Sequence, residues 1–181
     1  KRWVMPSPTP ACARDLVVMD AVADAEKIAS LVDFCFCAVD MPKDEIRALE
    51  ERYAKLECPI VSNNSAHRWT EDVPMVVPEI NPEHLAVIPH QRKRLGTGRG
   101  FIAVKSNCSL QSYVPALHPL REKFGVEKAL VCTYQAISGA GKNFETWPEM
   151  VDNVIPYIGG EEEKSEQEPM KMWGHIENGV I

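Results

Sequence analysis

The feature that most constrains this chain is an alternation of short continuous apolar runs with helix-patterned segments between residues 14 and 62. Leu16-Val17-Val18-Met19 and residues 34–39 are runs of the kind that form strands buried on both faces, and Ile60-Val61 makes a third. Residues 24–31, between the first two, have helical patterning. After the second run, Pro42 falls at an expected first helical position, with Asp44 and Glu45 in the first turn. Ile46, Leu49, Tyr53 and Leu56 then share one helical face. Strand–helix–strand–helix–strand is half of a doubly wound parallel sheet. A complete dinucleotide-binding unit would add a Gly-rich turn after a first strand, and this stretch has none.

Charge and length set the class. With 20 Lys+Arg against 26 Asp+Glu in 181 residues, the net charge of −6 argues against a nucleic-acid backbone as partner. No run of about 18 apolar residues suggests a membrane span. Prolines 6, 8 and 10 interrupt the first residues, where a secretory signal would need an apolar stretch. The six cysteines have neither metal-ligand nor disulfide-framework spacing, so a reducing cytoplasm is the expected compartment. Cys35, Cys37 and Cys132 lie in apolar runs and read as small buried hydrophobes.

Beyond residue 62 the texture changes. A polar loop, residues 63–68, precedes an apolar stretch at 73–77 and a helix expected over 83–94, whose basic tail suits a helix C-terminus. Gly96-Thr97-Gly98-Arg99-Gly100 leads into a strand at 101–104. A Gly-rich loop before a strand reads as a tight turn and not as a phosphate cradle. Residues 110–124 have helical features that Pro115 and Pro119 are expected to bend or interrupt. A strand is expected over 128–134, followed by Gln135 and the Gly-rich residues 136–141. Trp147, Met150, Val151 and Val154 recur at helical spacing, and Glu161-Glu162-Glu163 opens a further helix.

Cys108 stands out among these segments. It lies in Ser106-Asn107-Cys108-Ser109, at a strand-to-helix turn, where unpaired backbone N–H groups and the positive end of the helix dipole favour a thiolate. A buried structural cysteine is the commoner fate of this residue type. Polar neighbours on both sides, Asn107 and Ser109, favour the nucleophile.

Taken in order, several segments resemble the aspartate-β-semialdehyde dehydrogenases, in the branch found in archaea, fungi and some bacteria. They are Ser62 to Arg68 with Asp72-Val73-Pro74, Val77 to Asn81, Ser106 to Ser109, Gln135 to Gly141, and Asp152 to Lys164. The resemblance implies NADPH-dependent reductive dephosphorylation of aspartyl-β-phosphate to the semialdehyde, a step toward lysine, methionine and threonine. It implies that Cys108 is the nucleophile forming a thioacyl enzyme, that Asn107 shapes the acyl site and that Gln135 orients the substrate. Arg68 would hold the phosphate or the substrate carboxylate through a bidentate fork. Glu161 would meet the substrate amino group and Lys164 the phosphate, with Ser138 and Gly139 against the nicotinamide side of NADP. No metal is implied.

The same resemblance implies an α/β fold, a partial Rossmann-like parallel sheet joined to a mixed α+β catalytic and dimerisation domain. Residues 1–66 are expected to be part of the NADP-binding domain and residues 67–181 part of the catalytic domain, assembled as a homodimer or homotetramer. The family's first strand and Gly-rich loop would precede Lys1. Its histidine acid/base and substrate-carboxylate arginine would follow Ile181, so an internal, inactive portion is expected. His67, His84, His90, His118 and His175 then read as structural or surface residues. Two alternatives are a catalytically incompetent folded dimer core and another acyl-thioester dehydrogenase, such as an N-acetyl-glutamyl-phosphate reductase. Glu161 with Lys164 and the Arg68 loop favour the aspartate substrate.

Overall fold

The computed structural model describes residues 5–181; the first four residues of the expected NADP-binding portion lie outside the described residues. The chain runs through α1 (Ala25–Leu31), β1 (Cys35–Cys37), α2 (Lys43–Lys55), β2 (Ile60–Ser62), α3 (Ile88–Leu95), β3 (Ile102–Val104), α4 (Leu110–Phe124) and α5 (Glu161–Met172). The three strands form one parallel sheet in the order β1-β2-β3, with Cys35 opposite Ile60 and Ile60 opposite Ile102. Met75 adds an isolated parallel bridge to Val104. The sheet is α/β and Rossmann-like: β1 and β2 come from the expected alternation, and β3 comes from the later run expected at 101–104.

Helix α2 shows why these residues fold as they do. Ile46, Leu49 and Tyr53 bury one face, acids occupy the first turn, and Arg52 and Lys55 the last, each favourable to the helix dipole. Pro42 sits at the N-cap, one position before the expected one. The helix is capped by Leu56, and the next residue, Glu57, has a φ of 62° in the left-handed region. Glu57 then accepts hydrogen bonds from the backbone N–H groups of Gly98, Arg99 and Gly100 at 2.9, 2.5 and 2.7 Å. The Gly-rich loop is thus a tight turn, and it cradles a carboxylate of the protein itself. Gly100 is needed sterically, because a Cβ there would stand 1.8 Å from the Ala54 carbonyl oxygen.

The core joins sheet and helices. Ile60, Ile102 and Val104 from the strands pack with Met75, Leu110, Val114 and Met172. Asn81 ties α5 to this core: its amide nitrogen donates to the Met75 and Met172 carbonyls at 2.9 and 3.0 Å, and its oxygen accepts from Val77 N–H at 2.8 Å.

Several sequence-based expectations are corrected. Residues 16–19 form no strand, and residues 16–18 are exposed, Val18 at 97%, because no neighbouring strand among the described residues pairs with them. β1 is buried on one face only: Cys37 points inward while Phe36 is exposed, edge-on to Phe34 at 5.3 Å between ring centroids. Residues 128–134 form no strand, and Cys132 is exposed. Around Trp147, Met150, Val151 and Val154 the chain forms a single 3-10 turn, Pro148–Met150, in place of a helix. The helix expected over 83–94 splits into a 3-10 segment, Pro82–Val87, and α3, with Pro89 opening the second piece. α4, by contrast, continues through Pro115 and Pro119, its first half anchored by buried Leu110 and Val114.

Candidate active site

The candidate site forms where the parallel strands end. The turn after β3 carries Asn107, Cys108 and Ser109 and enters α4, so Cys108 stands two residues before the first helical position. Cys108 is exposed while Asn107 and Ser109 on either side are buried, which presents the thiol at a fixed point of the surface. Its thiol donates to the Asn107 side-chain oxygen at 3.3 Å. Cys37 and Cys58 lie in the core instead, where burial pushes the Cys37 thiol up to about 11 and the Cys58 thiol up to about 12.

Glu161, the first residue of α5, organises the site. Its carboxylate accepts from Asn107 Nδ2 and Gln135 Nε2, both at 2.7 Å, from Ser109 Oγ at 3.1 Å and from Lys164 Nζ at 3.3 Å. Burial raises this carboxyl, and the four donors outweigh it, holding it below the usual range. The structure therefore brings Asn107, Gln135 and Lys164 together around the Glu161 carboxylate, with Cys108 joined to the group through Asn107. Ser138 and Gly139 lie on the exposed 3-10 turn Ile137–Ala140 beside Gln135, and a Cβ at Gly139 would meet only the Gln135 side-chain oxygen, at 3.8 Å.

Arg68 sits deeper, 7% exposed, and its guanidinium is engaged within the protein. Nη1 donates to Glu168 Oε1 at 2.9 Å, Nε to the Lys105 carbonyl at 3.0 Å and Nη2 to the Asn63 carbonyl at 3.2 Å. Glu168 Oε2 in turn accepts from the Asn107 backbone N–H at 2.6 Å. Three carbonyls of the Arg68 loop, those of Arg68, Thr70 and Val73, accept from Lys171 Nζ at 2.8–2.9 Å. Burial lowers this lysine to about 8 against the pull of Asp72 and Glu71.

Ser109, Glu168 and Lys171 were missed by sequence reasoning. The signal available was spacing: Glu161, Lys164, Glu168 and Lys171 recur every three or four residues, one stripe of α5. A charged stripe ordinarily faces solvent. This one faces the protein, with Glu168 1% and Lys171 7% exposed.

Four of the five histidines have partners within the protein. His67 is buried, with ring nitrogens 3.0 Å from Thr70 Oγ1 and 3.4 Å from the Arg47 carbonyl. His84 reaches the Gly174 carbonyl at 2.9 Å, and His118 accepts from the Trp173 indole N–H at 3.2 Å. His175 pairs with Glu177 at the surface. Among the described residues no group of three or more His, Cys, Asp or Glu could hold a metal, and no helix is long and apolar enough to cross a membrane.

A Rossmann-like parallel sheet with an exposed cysteine in the turn beyond its last strand, braced by a helix-borne glutamate, defines an α/β protein with a candidate site at the carboxyl edge of the sheet. Residues 4–88 match the NAD-binding domain of semialdehyde dehydrogenases, and residues 117–180 match the dimerisation domain of the same enzymes. The chain belongs to the semialdehyde dehydrogenase family. Curated relatives named aspartate-semialdehyde dehydrogenase include those of Methanothermobacter thermautotrophicus, 37% identical over 99% of this chain, and Aspergillus fumigatus, 39% identical over 97%. The aspartate-semialdehyde dehydrogenase of Candida albicans, solved with NADP, superposes with a TM-score of 0.76 at 33% identity over 99% of this chain. The chain spans about half the length of these relatives, 50%, 47% and 50% respectively.

Proposed function

We propose that this chain contributes the nucleophile-bearing part of an NADP-dependent aspartate-semialdehyde dehydrogenase, which converts L-aspartyl-4-phosphate to L-aspartate-4-semialdehyde and phosphate. The observation that carries the reading is the convergence of Asn107, Ser109, Gln135 and Lys164 on Glu161, beside the exposed Cys108.

Cys108 attacks the C4 acyl carbon; the C–S bond forms as the C–O bond to phosphate breaks, and phosphate departs. Asn107, whose side chain touches the thiol, shapes the acyl pocket, and Gln135 orients the substrate. Glu161, an ionised acceptor surrounded by donors, is the partner for the substrate ammonium, and Lys164 for the departing phosphate. Arg68 supplies positive charge behind the turn, through the hydrogens that its three protein partners leave. Ser138 and Gly139, open to solvent beside Gln135, fit a flat ring approaching the acyl site. The hydride that reduces the thioester is the chemistry that NADPH supplies when bound.

In this reading residues 1–66 serve the cofactor and residues 67–181 serve catalysis and assembly. The division is one of function, since β3 completes the sheet begun by β1 and β2. Assembly as a homodimer or homotetramer is supported by the dimerisation-domain match and by exposed apolar side chains such as Val154 and Tyr157. A cytoplasmic enzyme accords with the free cysteines.

The test is adduct formation. Incubated with L-aspartyl-4-phosphate, the protein is expected to gain one aspartyl group on Cys108, removable by hydroxylamine and absent from Cys108→Ala. A protein that stays unmodified at Cys108 would overturn the reading.

A further inference from the structure

One carboxylate that the proposed chemistry does not use is buried between two of the groups it does use. Glu168 lies two turns along α5 from Glu161, 1% exposed, and divides its oxygens: Oε1 takes the Arg68 guanidinium at 2.9 Å and Oε2 the Asn107 backbone N–H at 2.6 Å. A buried charge is tolerated only when paired and hydrogen-bonded, and this one meets both conditions solely at the catalytic turn and the Arg68 loop. The Asn107 amide belongs to the residue immediately before Cys108.

We propose that Glu168 is a positioning residue, whose carboxylate clamps the Asn107–Cys108 turn to the guanidinium of Arg68 and so fixes the thiol relative to Asn107 and Glu161. The proposal rests on the reading of Cys108 as nucleophile. Glu161 holds the turn by the Asn107 side chain and Glu168 holds it by the backbone, so α5 grips the residue before Cys108 at two points. A shorter carboxylate cannot span both partners, and an amide can accept from one while its NH2 group faces the other donor.

The experiment compares Glu168→Asp and Glu168→Gln with the unaltered protein, and uses Gly100→Ala as a control that destabilises the fold away from the turn. Iodoacetamide labelling of Cys108 is read as a ratio to that of the exposed Cys12 in the same molecules, well below every melting temperature. Exchange of the Asn107 amide is followed by mass spectrometry or NMR. Both Glu168 variants are expected to lower the Cys108-to-Cys12 ratio about threefold or more and to deprotect the Asn107 amide, whereas Gly100→Ala moves neither. An unchanged ratio with an unchanged Asn107 amide in either folded variant overturns the proposal. Should neither variant fold, the unaltered protein decides: slow exchange at Asn107 supports the clamp and fast exchange overturns it. A Cys108 that labels no faster than Cys12 in the unaltered protein would count against the nucleophile, while the Asn107 amide would still report the clamp.

Discussion

The side-chain amide of Asn107 donates to Glu161 Oε1 at 2.7 Å, joining the strand-to-helix turn of the sheet to the first residue of a helix 54 positions further along the chain. Through this bond Asn107, the neighbour of the proposed nucleophile, and the glutamate proposed to meet the substrate become one unit.

Glu161→Gln tests that unit. The amide keeps the shape, but it presents NH2 where the carboxylate accepted from Asn107, Ser109, Gln135 and Lys164. At least one donor loses its partner, and the expected cost is about 1–3 kcal/mol of stability, seen as a lower urea midpoint. An unchanged midpoint would show that these bonds are replaced by water at no cost.

Gly100→Ala tests the turn beyond α3. The added Cβ would overlap the Ala54 carbonyl oxygen, which is backbone and cannot move aside without shifting the end of α2. A loss of about 1–3 kcal/mol is expected in thermal or urea unfolding. A variant as stable as the parent would place this loop elsewhere.

Asn81→Asp changes one atom. Oxygen would replace the nitrogen that donates to the Met75 and Met172 carbonyls, setting acceptor against acceptor in a buried site. The expected loss is about 2 kcal/mol or more, with α5 the first element to lose amide protection. Retention of full stability would mean that α5 is held by its apolar contacts alone.

His67 makes stability depend on pH. Burial holds its imidazole below the usual value of 6.5, outweighing the nearby Glu50. Below pH 6.5 the unfolded chain takes up a proton that the folded chain refuses, so stability is lost as the pH falls through the range beneath 6.5. Urea midpoints at pH 7 and pH 5.5 should differ more for the parent than for His67→Gln. Equal differences would remove the histidine from the account.

Much of the half-sheet was legible because its signals are local. The faces of α2, the acids at its first turn and the apolar run at 34–39 that contains β1 depend on near neighbours in sequence. Residues 16–19 and 128–134 misled because an apolar run states a need for burial without naming the partner strand that would supply it. In the site, Cys108, Asn107, Gln135 and Glu161 could be picked out by motif. Glu168 and Lys171 could not, since charged residues on a helix look the same facing solvent or facing a buried guanidinium and three carbonyls. The carboxylate of Glu57 in the Gly-rich loop was hidden for the same reason, its partners lying more than 40 positions away.

The central claim is that Cys108 is the nucleophile, presented to solvent by a braced turn. Its most direct test is competitive labelling with sub-stoichiometric iodoacetamide at pH 7, read peptide by peptide. Cys12 and Cys132 are exposed like Cys108 but lack the turn, whereas Cys37 and Cys58 are buried with raised thiols. The account predicts that Cys108 labels first, about tenfold faster than Cys12 or Cys132, with Cys37 and Cys58 last. Labelling of Cys108 at or below the rate of Cys12 would contradict it.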